Sequence, residues 1–286
     1  MCSPGAMSDP APTPPTLYDV FAPRGTGGGK RVAVFGHAAG DLQRRAAAAG
    51  APLSVFVEAC GLEGACLRVF TPEREKGESD SASVAALSYL QGQGAVSDIS
   101  DVLGGPEPVP AQLCGGEWLL RQGVVEVMPA DVPEGGAAGL TTVSVHRASA
   151  GRPNLCVEVT SLAELDACAP TREAVEALGR ATGTTGLIVY TLEAPAEGPQ
   201  RRADVSFRAF GPLRGFAEDA ASSNMFACLV AVLGTGGRLP PGASVVRGAQ
   251  RCPGQPALLT AQFSQPGEPV WVGGPAAGVP PETGGA

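Results

Sequence analysis

Arg68-Val69-Phe70-Thr71-Pro72 and Arg208-Ala209-Phe210-Gly211-Pro212 are two copies of one RxFxP pattern, at corresponding places in the two parts of the chain. Each copy has the same sequel: a strand ends at Pro, a short loop follows, and an acidic residue appears (Asp80 or Asp219). Small hydroxyl residues come next, and then an apolar helix begins. A plan repeated at long spacing is the signature of an internal duplication. At 286 residues the chain is long enough for two ordinary cores. The expected division is a loose Pro-rich tail over 1–15, an N-terminal unit over 16–120 and a C-terminal unit over 121–280.

Working outward, strand signals recur at Leu17–Phe21, Arg31–Phe35, Leu53–Val57, Cys66–Phe70, Val124–Met128, Thr142–His146, Leu155–Val159, Leu187–Leu192 and Val205–Phe210. Helix signals are fewer: Asp41–Ala49 behind an Asp cap, Ser81–Leu90, Ala220–Leu233, and a capping box at Ser161 to Glu164. The segment Ser97–Gly116, rich in Gly, Pro and small polar residues, reads as an excursion or linker. The class is α+β, with more strand than helix.

Two helices that open on small residues, in related halves, predict a cleft with two positive helix ends facing it. Free N–H groups and the helix dipole favour an anion there, so a small carboxylate ligand is expected. Asp80 and Asp219 are the candidate proton-moving residues, and Ser81, Ser83, Ser222, Ser223 and Asn224 the candidate ligand-holding ones. The plainer alternative is that Asp80 and Asp219 only cap their own helices.

The bulk composition narrows the partners. A formal net charge of -8 argues against nucleic acid and acidic membrane, which need clustered Lys and Arg. No apolar run reaches the length of a membrane span and the first residues carry no leader-like pattern, so a cytoplasmic protein is expected. The eight cysteines lack a CxxC pair and read as reduced core thiols. His37 and His146 stand far apart without ligand-like neighbours, so neither metal nor cofactor is expected. Gly25–Gly29 with Lys30 lacks the ending of a phosphate loop and precedes a strand, so it reads as an exposed turn.

Several of these residues resemble the phenazine-biosynthesis PhzF-like isomerase and epimerase family, over nearly the whole chain. Tyr18-Asp19-Val20-Phe21 with Gly29-Lys30-Arg31-Val32-Ala33-Val34 is similar to the family's opening DVF strand and GNPxAV turn, with Lys30 and Arg31 in place of Asn and Pro. Arg68–Pro72 matches its RxFTP segment; Arg208–Pro212 with Gly215 and Glu218-Asp219 matches the second-half RxFxP, glycine and ED. Val246-Arg247-Gly248, Gly254-Gln255-Pro256 and Val272-Gly273-Gly274 resemble the closing QG, GRP and VGG strands. The resemblance implies two similar domains of diaminopimelate epimerase-like fold, each a curved mixed β-sheet wrapped around a central helix. It also implies an active cleft between them, cofactor-independent chemistry, and often a homodimer.

The family's proton-moving groups are replaced at two of three matched positions. Leu53 stands where the resemblance places a Glu, and Asp80-Ser81 where it places Gly-His; Asp219 is retained. Glu58 lies five positions beyond Leu53, on the opposite strand face, and reads as solvated surface. A racemase with two cysteine bases would need thiols at the helix starts, where Ser81 and Ser222-Ser223 stand. Two functions remain open: an isomerase, epimerase or lyase moving a proton beside a carboxylate with Asp80 and Asp219, or a binding or scaffold protein on the same fold without catalysis.

Overall fold

The computed structural model describes residues 13–22, 26, 28–131, 138–198, 200–239, 244–254 and 256–280. Residues 1–12 of the expected tail, Gly25 and Gly27 of the turn, and Gln255 of the closing motif lie outside them.

The first half runs β1 (Thr16–Val20), β2 (Lys30–Phe35), α1 (Leu42–Ala48), β3 (Leu53–Gly61), β4 (Gly64–Phe70), α2 (Asp80–Gly92), β5 (Ile99–Leu103), β6 (Val109–Cys114) and β7 (Glu117–Val124). The second runs β8 (Glu126–Pro129), β9 (Ser144–Ser149), β10 (Pro153–Glu158), α3 (Leu162–Ala167), α4 (Arg172–Thr182), β11 (Gly186–Thr191), β12 (Val205–Gly211), β13 (Phe216–Glu218), α5 (Ser223–Thr235), β14 (Val245–Gln250), β15 (Ala257–Gln262) and β16 (Pro269–Gly274). A last strand, β17 (Ala276–Gly278), follows.

The duplication read from RxFxP extends through the sheet topology. In the first half β1·β2 is antiparallel, β2·β3 parallel, β3·β4 antiparallel, β4·β5 parallel, and β5·β6·β7 antiparallel. The second half repeats these senses with β9·β10, β10·β11, β11·β12, β12·β14 and β14·β15·β16. Parallel neighbours need a crossover, which is why helices fall between β2 and β3, β4 and β5, β10 and β11, and β12 and β14. The fold is thus α+β with two similar mixed sheets, as expected.

The two sheets join where β7 runs antiparallel to β16. Gly273 makes that approach: a Cβ there would lie 1.8 Å from the Trp118 carbonyl oxygen. The second half also reaches into the first: β17 pairs with β1, whereas β8 pairs with β9 within the second half.

Each sheet folds over one central helix. α2 packs on β1–β4 and β7, and α5 on β9, β10, β15 and β16. Both are buried on nearly every side, which an apolar helix requires. Their fillings differ. α2 contributes small residues such as Ala82, Ser83, Ala85 and Ala86, whereas α5 contributes Met225, Phe226 and Leu229. Phe226 stacks on Phe207 at 5.3 Å between ring centroids. The outer faces are covered by α1, over Phe35, Phe56 and Phe70, and by α3 and α4, over Leu155, Val157 and Val189.

Three expectations need correction. Ser97–Gly116 is not a linker but holds β5 and β6, with Gly104-Gly105-Pro106 in the connection between them. The single strand expected over Val124–Met128 is broken at Val125 into the end of β7 and the start of β8. α4 was not foreseen, although Thr171 caps its start, accepting from the Ala174 N–H at 3.2 Å, and Gly183 ends it at φ 64°.

Candidate active site

The two RxF copies are braced in the same way. In each, the arginine forks onto a glutamate that the chain brings back over it: Arg68 onto Glu75 at 2.8 Å through two nitrogens, Arg208 onto Glu218 at 2.7 and 2.9 Å. Each guanidinium also lies over the phenylalanine of its own motif, 5.2 and 5.1 Å from the ring centroid. The residue after each glutamate then hydrogen bonds through its backbone N–H to the residue after the arginine: Lys76 to the Val69 carbonyl at 2.8 Å, Asp219 to the Ala209 carbonyl at 2.9 Å. Lys76 and Asp219 are therefore structural counterparts.

Between the halves lies a polar cavity of about 720 Å³. Asp80, Ser81, Asp219, Ser222, Ser223 and Asn224, all singled out in the sequence, line it. Ser83, one turn further along α2, is buried and faces a smaller adjoining pocket with Leu67, Val69 and Leu120.

Neither aspartate caps its helix. The N-cap residues are Ser79 and Ser222, and neither side chain accepts from a first-turn N–H; Ser79 Oγ instead shares a hydrogen bond with Ser81 Oγ at 3.2 Å. The helix N–H groups at the cavity wall are thus left for a ligand or water. The two carboxylates are also not equivalent in position. Asp80 is the first residue of α2, where α5 has Ser223; Asp219 lies in the loop ahead of α5.

Their electrostatics differ accordingly. Asp219 forms an ion pair with Lys30, whose Nζ is 2.7 Å from Oδ1. Oδ1 also accepts from the Ala221 N–H at 3.1 Å, while Oδ2 has no hydrogen bond among the described residues. Buried Gln250 fixes this loop, donating to the Asp219 carbonyl and accepting from the Ser222 N–H at 2.8 Å. Asp80 accepts from Gln122 Nε2 at 3.1 Å. Loss of water raises its pKa above the ordinary aspartate value; hydrogen bonds from Gln122 and Ser223 and the charges of Lys30 and Lys76 only partly oppose this.

The polar lining residues that the sequence did not place in the site are Lys30, Lys76, Glu78, Ser79, Gln122 and Arg152. Lys30 was read as part of an exposed turn, yet it starts β2 and enters the cavity. Gly29 permits this, at φ 59° and with its Cα so close to Val20 that a Cβ would lie 2.0 Å from that carbonyl oxygen. Arg152 sits on the β9–β10 turn, whose backbone is pinned by Asn154 Nδ2 to the Arg152 carbonyl at 2.9 Å and by Arg214 to Asn154 Oδ1 at 2.8 Å. Leu53, at the position matched to the family's Glu, is buried in the apolar core. Glu58 is exposed beside Arg68, 3.7 Å away. Among the described residues no three His, Cys, Asp or Glu side chains are grouped to hold a metal ion, and no helix is long and apolar enough to cross a membrane.

No family model matches the chain, and no curated protein does. Solved structures do match. A phenazine biosynthesis protein of the PhzF family from Bacillus anthracis aligns with TM-score 0.74 at 15% identity, over 93% of this chain and 96% of that one. A PhzF-family protein from Enterococcus faecalis aligns with TM-score 0.72 at 22% identity, over the same shares, 93% and 96%. A predicted epimerase from Pseudomonas aeruginosa aligns with TM-score 0.66 at 21% identity, over 94% and 98%. Likeness at such identities is likeness of fold, and a fold alone does not assign chemistry. The chain is built on the fold of the PhzF-family phenazine biosynthesis proteins, over 93% of its length.

Proposed function

We propose that the protein is an isomerase or epimerase that moves a proton beside the carboxylate of a small acid, without a cofactor, in the cavity between its halves. The observation that carries this reading is one cavity that brings together Asp219, ion-paired with Lys30 at 2.7 Å, and Asp80, whose pKa loss of water raises, with Glu78 also on its wall. Two titratable groups whose surroundings drive them apart are the arrangement acid–base chemistry needs. The ligand's carboxylate takes the uncapped N-termini of α2 and α5, with the Ser81, Ser222 and Ser223 hydroxyls and the Asn224 amide beside it. Asp219 Oδ2, free of other bonds among the described residues, accepts the proton from the neighbouring carbon. Asp80, when neutral, donates to the charge that develops on the carboxylate. The Pseudomonas aeruginosa structure, a predicted epimerase, is in keeping with this class. A cytoplasmic setting and a homodimer belong to the same reading.

A second reading, binding without turnover, has one observation in its favour: Leu53 is buried at the position matched to the family's Glu, so no carboxylate reaches the cavity from there. A thermal-shift screen against small aliphatic and aromatic carboxylates, with Asp219→Ala alongside, tests the site itself. A ligand at about 100 times its Kd adds about 2.7 kcal/mol to folded-state stability. The expected result is that one or more acids raise the Tm of the wild type and not of the variant. If no acid shifts the wild type, the proposed site is wrong. Solvent deuterium entering a stabilising acid then separates enzyme from binder.

A further inference from the structure

The chain has only two lysines, Lys30 and Lys76; its other eighteen basic residues are arginines (20 Lys+Arg less 2). Both lysines line the one 720 Å³ cavity. Lysine differs from arginine in being able to give up its proton near neutral pH when its surroundings demand it. Their placement therefore points to a role that arginine would not fill.

The two lysines are not alike. Lys30 is committed to Asp219 at 2.7 Å. Lys76 makes no ion pair among the described residues, although it stands where the second half has Asp219, fixed by the same backbone hydrogen bond. A pseudo-symmetric cavity thus presents a carboxylate from one half and an amine from the other. We infer that Lys76 is a catalytic residue of this site, the first-half partner of Asp219 in proton transfer to and from the ligand. This rests on the proposed isomerase reading and deepens it.

The surroundings of Lys76 suit the task. Partial burial lowers its pKa, with the positive charges of Lys30 and Arg152 adding to the effect, and Asp219 and Asp80 pull the other way. A lysine crowded by other cations is the arrangement that poises an amine for proton transfer. In the forward step Asp219 Oδ2 takes a proton from the carbon beside the ligand's carboxylate. The C–H electron pair passes into that carboxylate. The Lys76 ammonium then delivers a proton to the carbon from the other half, a new C–H bond forms, and the amine and the Asp219 carboxyl group remain. Exchange with water restores both groups. The reverse step runs from the amine, so the protons balance in either direction.

Two measurements test this. The first labels amines at low stoichiometry across pH 6–10 (the range of about the lysine titration) and reads the two lysine peptides by mass spectrometry, each lysine serving as control for the other. Lys76 is expected to label at least about tenfold faster than Lys30 near neutral pH, since reactivity follows the fraction of free amine. Equal labelling, or faster labelling of Lys30, overturns the inference. The second follows solvent deuterium into an acid that stabilises the wild type. Lys76→Arg, which keeps the charge, and Lys76→Met should bind that acid in the thermal-shift assay but exchange it about 10²–10⁴-fold more slowly. Exchange by Lys76→Arg at the wild-type rate sinks the role of Lys76 and leaves the isomerase reading standing. No exchange by the wild type with any stabilising acid removes both.

Discussion

The two halves share a plan and differ in how far each copy is withdrawn from water. Arg208 and Glu218 keep only 10% and 15% of their side-chain surface exposed, whereas Arg68 and Glu75 keep 38% and 46%. Arg208 also donates to the carbonyls of Leu165, Asp166 and Cys168 at the end of α3. One fork ties a second layer into the structure; the other ties down a surface loop. The central helices show the same contrast, with Phe226 in α5 at the position where α2 has Ser83. Duplication has conserved the geometry of the strand and its return while the second half has become the heavier, better-filled core.

That contrast can be broken by substitution. Phe226→Ala should cost about 3–5 kcal/mol, because a fully buried ring stacked on Phe207 leaves a cavity. Ser83→Ala should stay within about 1 kcal/mol. Chemical denaturation of both variants checks the difference, and similar losses would mean that the two cores are equally demanding. Glu218→Ala should cost about 2–3 kcal/mol, less than the 3–5 of a wholly dry pair, by leaving Arg208 uncompensated. Glu75→Ala should cost under about 1 kcal/mol, since water and salt already screen its pair. A smaller and pH-dependent effect concerns Asp80. Its raised folded-state pKa means the folded protein holds this proton more tightly than the unfolded chain does. The associated stability is present below the unfolded aspartate value of about 3.9 and is lost as pH rises through the folded value. Asp80→Asn should therefore be the more stable protein at neutral pH, with the Tm difference closing as pH falls toward about 4. A gap that widens on acidification would show that Asp80 is stabilised as the anion.

Much of this was readable from local pattern. RxFxP, the small residues opening α2 and α5, and the two aspartates lie close together in sequence, and the helix openings and the aspartates line the cavity. Lys30, Lys76, Gln122 and Arg152 were not readable, because long side chains converge from β2, a loop, β7 and a turn, and their reach is set by how the sheets meet. β5 and β6 were hidden by Gly104-Gly105-Pro106, whose turn chemistry outweighed two short, half-exposed strands. α4 had a threonine cap, a closing glycine and buried Val175 and Leu178 on one face, so the signal was present and was passed over. The equivalence of Asp80 and Asp219 was inferred from order along the chain; the backbone shows that Asp219 answers to Lys76.

The pairing of β17 with β1 has a consequence for synthesis. The first sheet takes one of its strands, Ala276–Gly278, from nearly the end of the described chain. While the ribosome is still making the second half, β1 has β2 on one side and an open edge on the other. Such an edge invites pairing with another chain, and contacts so distant in sequence form slowly. That edge of β1 thus stays open until β17 has been made.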